Sequence, residues 1–97
     1  MDFEFDPAKS DANKIKHGID FVEAQNLWTT DAVVRAIAHP LEVRFLRIGQ
    51  LGAKVWTGVF TLRQGRIRII SVRRARRDEE VEHERHQESV RGDDNEH

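Results

Sequence analysis

The 97-residue chain has no cysteine. That excludes a disulfide framework and any thiolate metal site, and it fits a reducing compartment. Long hydrophobic runs are also missing: no apolar stretch approaches the roughly 18 residues of a membrane span. The opening segment MDFEFDPAKS lacks the basic-then-apolar layout of a signal peptide. The expectation is a cytoplasmic protein without a membrane partner. There is no phosphate loop, no G-x-S-x-G and no H-E-x-x-H. Of the five histidines, His83 and His86 are spaced i, i+3, but no third ligand stands at a tight spacing. Neither a metal nor a cofactor is expected.

Net charge is almost absent, at −1, but its distribution is uneven. Residues 1–34 hold 3 Lys and 7 acids, and residues 78–97 hold 2 Arg and 9 acids. Between them, residues 35–77 carry 11 Lys and Arg against the single acid Glu42. Like charges at that density repel one another, which costs stability unless an anion meets them. Either a nucleic acid supplies it, or the acidic C-terminal segment folds back and neutralises the basic one. A chain this short makes one domain with a modest core. We assign residues 1–90 to that domain and 91–97 to a flexible tail.

Phe3 and Phe5 alternate with acids and predict a short first strand. Asp6-Pro7 is an N-cap followed by proline at the first helical position, and Gly18 is a left-handed stop, so a helix spans about 7–17. Asp20 and Glu23 have capping-box spacing and open a second helix, to about residue 28. From Ala32 the period changes to that of strands: 32–38, 43–48, 54–62 and 66–73, with turns at Gln50-Leu51-Gly52 and Gln64-Gly65. Short loops favour antiparallel neighbours. The fold class is α+β, with two N-terminal helices on one face of a mainly antiparallel four- to five-stranded sheet. A C-terminal helix is predicted over 78–90, capped by Asp78, although its apolar stripe (Ala75, Val81, Val90) is thin. Phe21, Leu27, Phe45, Val59, Ile67 and Ile69 are the expected core, and Trp28 and Trp56 are expected to be largely buried.

The densest basic cluster is Arg66, Arg68, Arg73 and Arg74, continued by Arg76 and Arg77. Strict alternation puts Arg66, Arg68, Ile70 and Val72 on one face, and Ile67, Ile69, Ser71 and Arg73 on the other. Arg44, Arg47 and Lys54 come from neighbouring strands and are expected to reach the same groove. A guanidinium fork bonds two phosphate oxygens at once. Together with Ser71, these arginines are the candidate RNA-binding residues, although a lone arginine is ordinarily just a solvated surface residue.

Several pieces, taken in order, resemble the BrnT family of type II toxins: Phe3-Glu4-Phe5-Asp6, Lys16-His17-Gly18-Ile19-x-Phe21-x-Glu23-Ala24, Glu42-x-Arg44-Phe45, Val59-Phe60-Thr61 and Arg66-Ile67-Arg68-Ile69-Ile70-Ser71-x-Arg73-x-Ala75. The resemblance runs from residue 3 to about 84. It implies a RelE-like fold, an endoribonuclease that inhibits translation, and a ribbon-helix-helix antitoxin of the BrnA type. Operator DNA would be met only through the antitoxin complex. Where the family usually reads E-R-x-x-Y-E, this chain has Glu79-Glu80-Val81-Glu82-His83-Glu84, so His83 replaces a tyrosine and Glu80 an arginine.

RNA can be cut without metal when the 2′-hydroxyl attacks its own phosphate; the protein then supplies a base, an acid and cations for the transition state. Arg66, Arg68 and Arg73 are candidates for the charge, assisted by Lys54 or Lys16. His17 and His83 are candidates for proton transfer, because histidine titrates near neutrality. The rival reading is a non-enzymatic module that binds an antitoxin and acts as co-repressor on operator DNA.

Overall fold

The computed structural model describes residues 1–95, with side chains to Val90. Strand β1 (Phe3–Glu4) leads into α1 (Pro7–His17), the single turn α2 (Phe21–Ala24) and a 3-10 turn (Gln25–Thr29). Strands β2 (Val33–Ile37), β3 (Arg44–Leu51), β4 (Lys54–Arg63) and β5 (Arg66–Arg74) follow, and α3 (Arg77–Asn95) ends the chain. The sheet order is β1-β5-β4-β3-β2. β2 to β5 form an antiparallel meander, while β1 pairs in parallel with β5. The sheet is therefore mixed, and the expected second helix is one α turn followed by a 3-10 segment. Helix α3 runs to Asn95, through the start of the segment expected as a tail, whose last two residues lie outside the described ones. Among the described residues no helix is long and apolar enough to cross a membrane.

Local chemistry explains the helical entry. The Asp6 side chain accepts from the Ala8 N–H, and Gly18 closes α1 at φ 82°, donating its N–H to the Lys14 carbonyl. Asp20 and Glu23 form the reciprocal capping box. Gln64 and Gly65 both take positive φ (52° and 78°), the two-residue turn that matches strand twist.

One face of the sheet is covered by α1, α2 and the 3-10 turn. Ile19, Phe21, Ala24, Leu27, Trp56, Phe60, Ile67, Ile69 and Val72 form its core. Phe45 and Trp28 are only partly buried; Trp28 meets Phe3 and Phe60 edge-on and lies beneath the Arg47 guanidinium. Val59 points to the opposite face and is half-buried there. Asn13 of α1 closes the edge of β5 beyond β1: its amide donates to the Val72 and Ile19 carbonyls (2.9 and 2.8 Å), and its oxygen accepts from the Val72 N–H (3.2 Å). A side-chain amide thus substitutes for a strand partner.

Strict alternation fails at one point in β5. Val59 pairs with Ser71 while its neighbour Phe60 pairs with Ile69, so Ile70 is an extra residue. This β-bulge reverses the facing of every later side chain. Ile67, Ile69 and Val72 consequently share the helical core. Arg66, Arg68, Ser71 and Arg73 share the opposite face, against the expected division.

Candidate functional site

The face opposite the N-terminal helices has two parts. Helix α3 covers the end bearing Arg73, Thr57 and Arg35. Glu79, buried at 2% exposure, holds it there. Its carboxylate accepts from both terminal nitrogens of Arg73 (2.7 and 3.0 Å), from the Thr57 hydroxyl (2.9 Å) and from the Arg76 N–H (2.8 Å). Burial pushes the Glu79 pKa up, but the bonds from Arg73, Arg76 and Thr57 outweigh it and bring the value down to about 2. The same contact raises the pKa of Arg73. The bond to Arg76 is one half of a capping box, so the cap position is Arg76 and not Asp78. Arg35 bonds Glu82 and reaches Asp78 at 3.4 Å, and His86 bonds Asp31 at 2.9 Å. The acidic segment therefore does fold back on part of the basic one.

Among the described residues, no helix lies over the rest of this face. The two-residue turn sets Arg63 directly opposite Arg66, and Arg68 pairs with Thr61 one step further along. Arg63 and Arg66 are exposed and enter no ion pair among the described residues. Like charges directly opposite on a sheet are destabilising. Arg68 lies 3.8 Å from the Glu4 carboxylate of β1, its register partner. Arg44 shares this face and pairs with Glu42 at 3.0 Å. Ser71 is half-buried between this cluster and Arg73.

The other expected site residues lie elsewhere. Arg47 is on the helical face, where it donates to the Leu27 and Thr30 carbonyls (2.8 and 3.1 Å), and burial lowers its pKa. Arg74 stacks over Trp56, which also belongs to the helical core. Arg76 and Arg77 are exposed at the start of α3. Lys54 is exposed at the β3–β4 hairpin, seven residues along β4 from Thr61, about 23 Å at about 3.3 Å per strand residue. His17 and Lys16 end α1, in the layer on the opposite side of the sheet from Arg66 and Arg68. His83 is 4% exposed, its Nε2 buried without a hydrogen-bond partner, beside a cleft of about 310 Å³ between α3 and the β3–β4 hairpin. The single groove expected from Arg44, Arg47 and Lys54 together does not form; Arg44 alone joins Arg66 and Arg68.

Sequence reasoning missed Arg63, Glu79 and Glu4. Arg63 was legible, because the residues flanking a two-residue turn face each other. Glu79 carried the spacing of a capping box with Arg76, but no sequence signal points to its bond with Thr57. Glu4 depends on a two-residue parallel pairing that no local pattern encodes.

The exposed arginines and the Ser71 hydroxyl carry hydrogen-bond donors of the kind that suit phosphate oxygens. Arginine forks bind phosphate oxygens in pairs, and among the described residues Arg63 and Arg66 form no ion pair, although Asp2 shares a shallow cavity with Arg66. A search of curated proteins finds no match to the chain. A family model described as the ribonuclease toxin BrnT of type II toxin–antitoxin systems matches residues 5–79, most of the chain and all four open-face arginines. The chain belongs to the BrnT family of ribonuclease toxins of type II toxin–antitoxin systems.

Proposed function

We propose that this chain is an endoribonuclease with a RelE-like fold that cleaves RNA without a metal ion, on the open face carrying Arg44, Arg63, Arg66, Arg68 and Ser71. The observation that carries the reading is the bulge at Ile70. It brings Ser71 onto the face of Arg66 and Arg68, where the two-residue turn has already set Arg63 opposite Arg66. Arginines neutralise phosphate directly, and the donor set is one that binds oxyanions rather than cations. Arg73 acts indirectly, since Glu79 occupies its fork. His17, Lys54 and His83 have no assigned part in cleavage on this reading, because two lie away from the face and the third is buried.

The antitoxin partner is a small ribbon-helix-helix protein of the BrnA type that covers this face and carries the complex to operator DNA. Such a cover removes from water the like-charged surface that the chain leaves open. A stable complex of this kind buries on the order of 1,200–2,000 Å².

Induced expression with and without the neighbouring gene tests the reading, with growth and RNA integrity as readouts. Growth arrest with RNA cleavage, relieved by the neighbouring gene, is the expected result. Intact RNA in arrest-free cells, alongside a complex that binds operator DNA, would replace it with the non-enzymatic co-repressor.

A further inference from the structure

Glu4 is a carboxylate that the fold leaves incompletely paired. It pairs in register with Arg68 across the parallel β1–β5 ladder, so both side chains stand on the open face. Its Oε1 is buried and has no hydrogen-bond donor. The nearest cation, Arg68 Nη1, is 3.8 Å away, an ion-pair separation beyond hydrogen-bonding distance. The Glu4 side chain is still 26% exposed, and that exposure lies on its other atoms. A buried carboxylate oxygen ordinarily has a donor, and its lack is costly. The purely structural alternative makes Glu4 a counter-ion that orients Arg68.

We propose that Glu4 is the general base of RNA cleavage on this face, an inference that rests on the function proposed above. An RNA phosphate held by Arg66 and Arg68 brings its ribose to the edge of the sheet where β1 lies. The Glu4 carboxylate takes the proton of the 2′-hydroxyl. The 2′-oxygen bonds to phosphorus, and the bond from phosphorus to the 5′-oxygen breaks. The leaving 5′-oxygen takes a proton from water. The products are a 2′,3′-cyclic phosphate and a 5′-hydroxyl, and no co-reactant is needed. Arg68, beside the base, stabilises the pentavalent phosphorane charge.

The test uses the whole chain with one defined messenger RNA, free and ribosome-bound. Wild type, Glu4→Gln and the Arg66→Ala/Arg68→Ala double variant are compared for RNA binding, single-turnover rate against pH, and thermal unfolding. Glu4→Gln should bind RNA as tightly as wild type or more tightly, since a negative charge is gone. Its rate should fall at least a hundredfold, and the limb over which activity rises with pH should disappear. A wild-type rate in Glu4→Gln overturns the assignment. So does a slow variant that keeps the rising limb, or whose loss lies entirely in RNA binding or unfolding, because Glu4 would then only orient Arg68. Full activity in the arginine double variant, or no cleavage by wild type, overturns the proposed function itself. The two failures are thereby distinguished.

Discussion

Arg73 and Glu79 form a two-pronged ion pair, with Nη1 to Oε1 at 2.7 Å and Nη2 to Oε2 at 3.0 Å, that fastens α3 to the sheet. The helix needs this fastening. Its own apolar residues are few, with Val81 half-buried and Val90 exposed, although Leu46 and Ile48 of β3 are buried on the face it covers. Breaking a buried pair leaves a charge without compensation, typically at a cost of about 3–5 kcal/mol. Arg73→Ala should therefore destabilise the fold by about that amount in urea unfolding at neutral pH. A variant as stable as wild type would show that α3 is held by other contacts.

The same pair makes stability depend on acid. The Glu79 pKa is lowered from 4.5 to about 2 in the folded chain. A lowered carboxylate value gives stability that is fully present above pH 4.5 and is lost as pH falls through about 2. Each tenfold change in proton affinity corresponds to about 1.4 kcal/mol, so the linked loss is about 3 kcal/mol. Glu79→Gln should start less stable at pH 7 and lose less between pH 5 and pH 2 than wild type, measured by urea unfolding at each pH. Parallel losses in the two proteins would remove Glu79 as the source.

Asn13 offers a separate test of how β5 is held. Asn13→Ala leaves the Val72 N–H, the Val72 carbonyl and the Ile19 carbonyl without their partner, each at about 1–3 kcal/mol when buried. The expected total is about 3 kcal/mol, since some of the groups regain water. Amide exchange at Val72 should accelerate more than exchange in β3. Unchanged protection at Val72 would mean that α1 is not the partner of this edge.

Gly49 marks the closest approach of the 3-10 turn to the sheet. A methyl group there would stand 2.8 Å from Thr30 Oγ1 and 3.1 Å from Leu27 Cδ2. Leu27 is fully buried and has nowhere to retreat. Gly49→Ala should cost about 1–3 kcal/mol by thermal unfolding. An unchanged midpoint would show that the turn moves freely.

Much of this architecture was legible because its signals are local. Asp6-Pro7, Gly18 and the Asp20/Glu23 pair fixed the helical entry, and the strand segments and glycine turns gave the meander. The site was less legible. Alternation misassigned Ser71, Arg73 and Val72 because a bulge depends on pairing with β4, and no residue type near Ile70 announces it. Arg47 and Arg74 looked like free cations, but tertiary contacts with Trp28 and Trp56 engage them. Glu4 lies 64 positions from Arg68 in sequence, and only the parallel closure of β1 on β5 brings them together.

The most direct measurement of the central claim is the rate at which the purified chain cleaves the defined messenger RNA, free and ribosome-bound, in EDTA, for wild type and the Arg66→Ala/Arg68→Ala double variant. Loss of even one pre-organised cationic contact to a developing oxyanion costs about a hundredfold or more. The account predicts a wild-type rate unaffected by EDTA and a double variant at least a hundredfold slower, with its unfolding midpoint kept. An undiminished rate in the double variant, or wild-type activity abolished by EDTA and restored by a divalent ion, would contradict it.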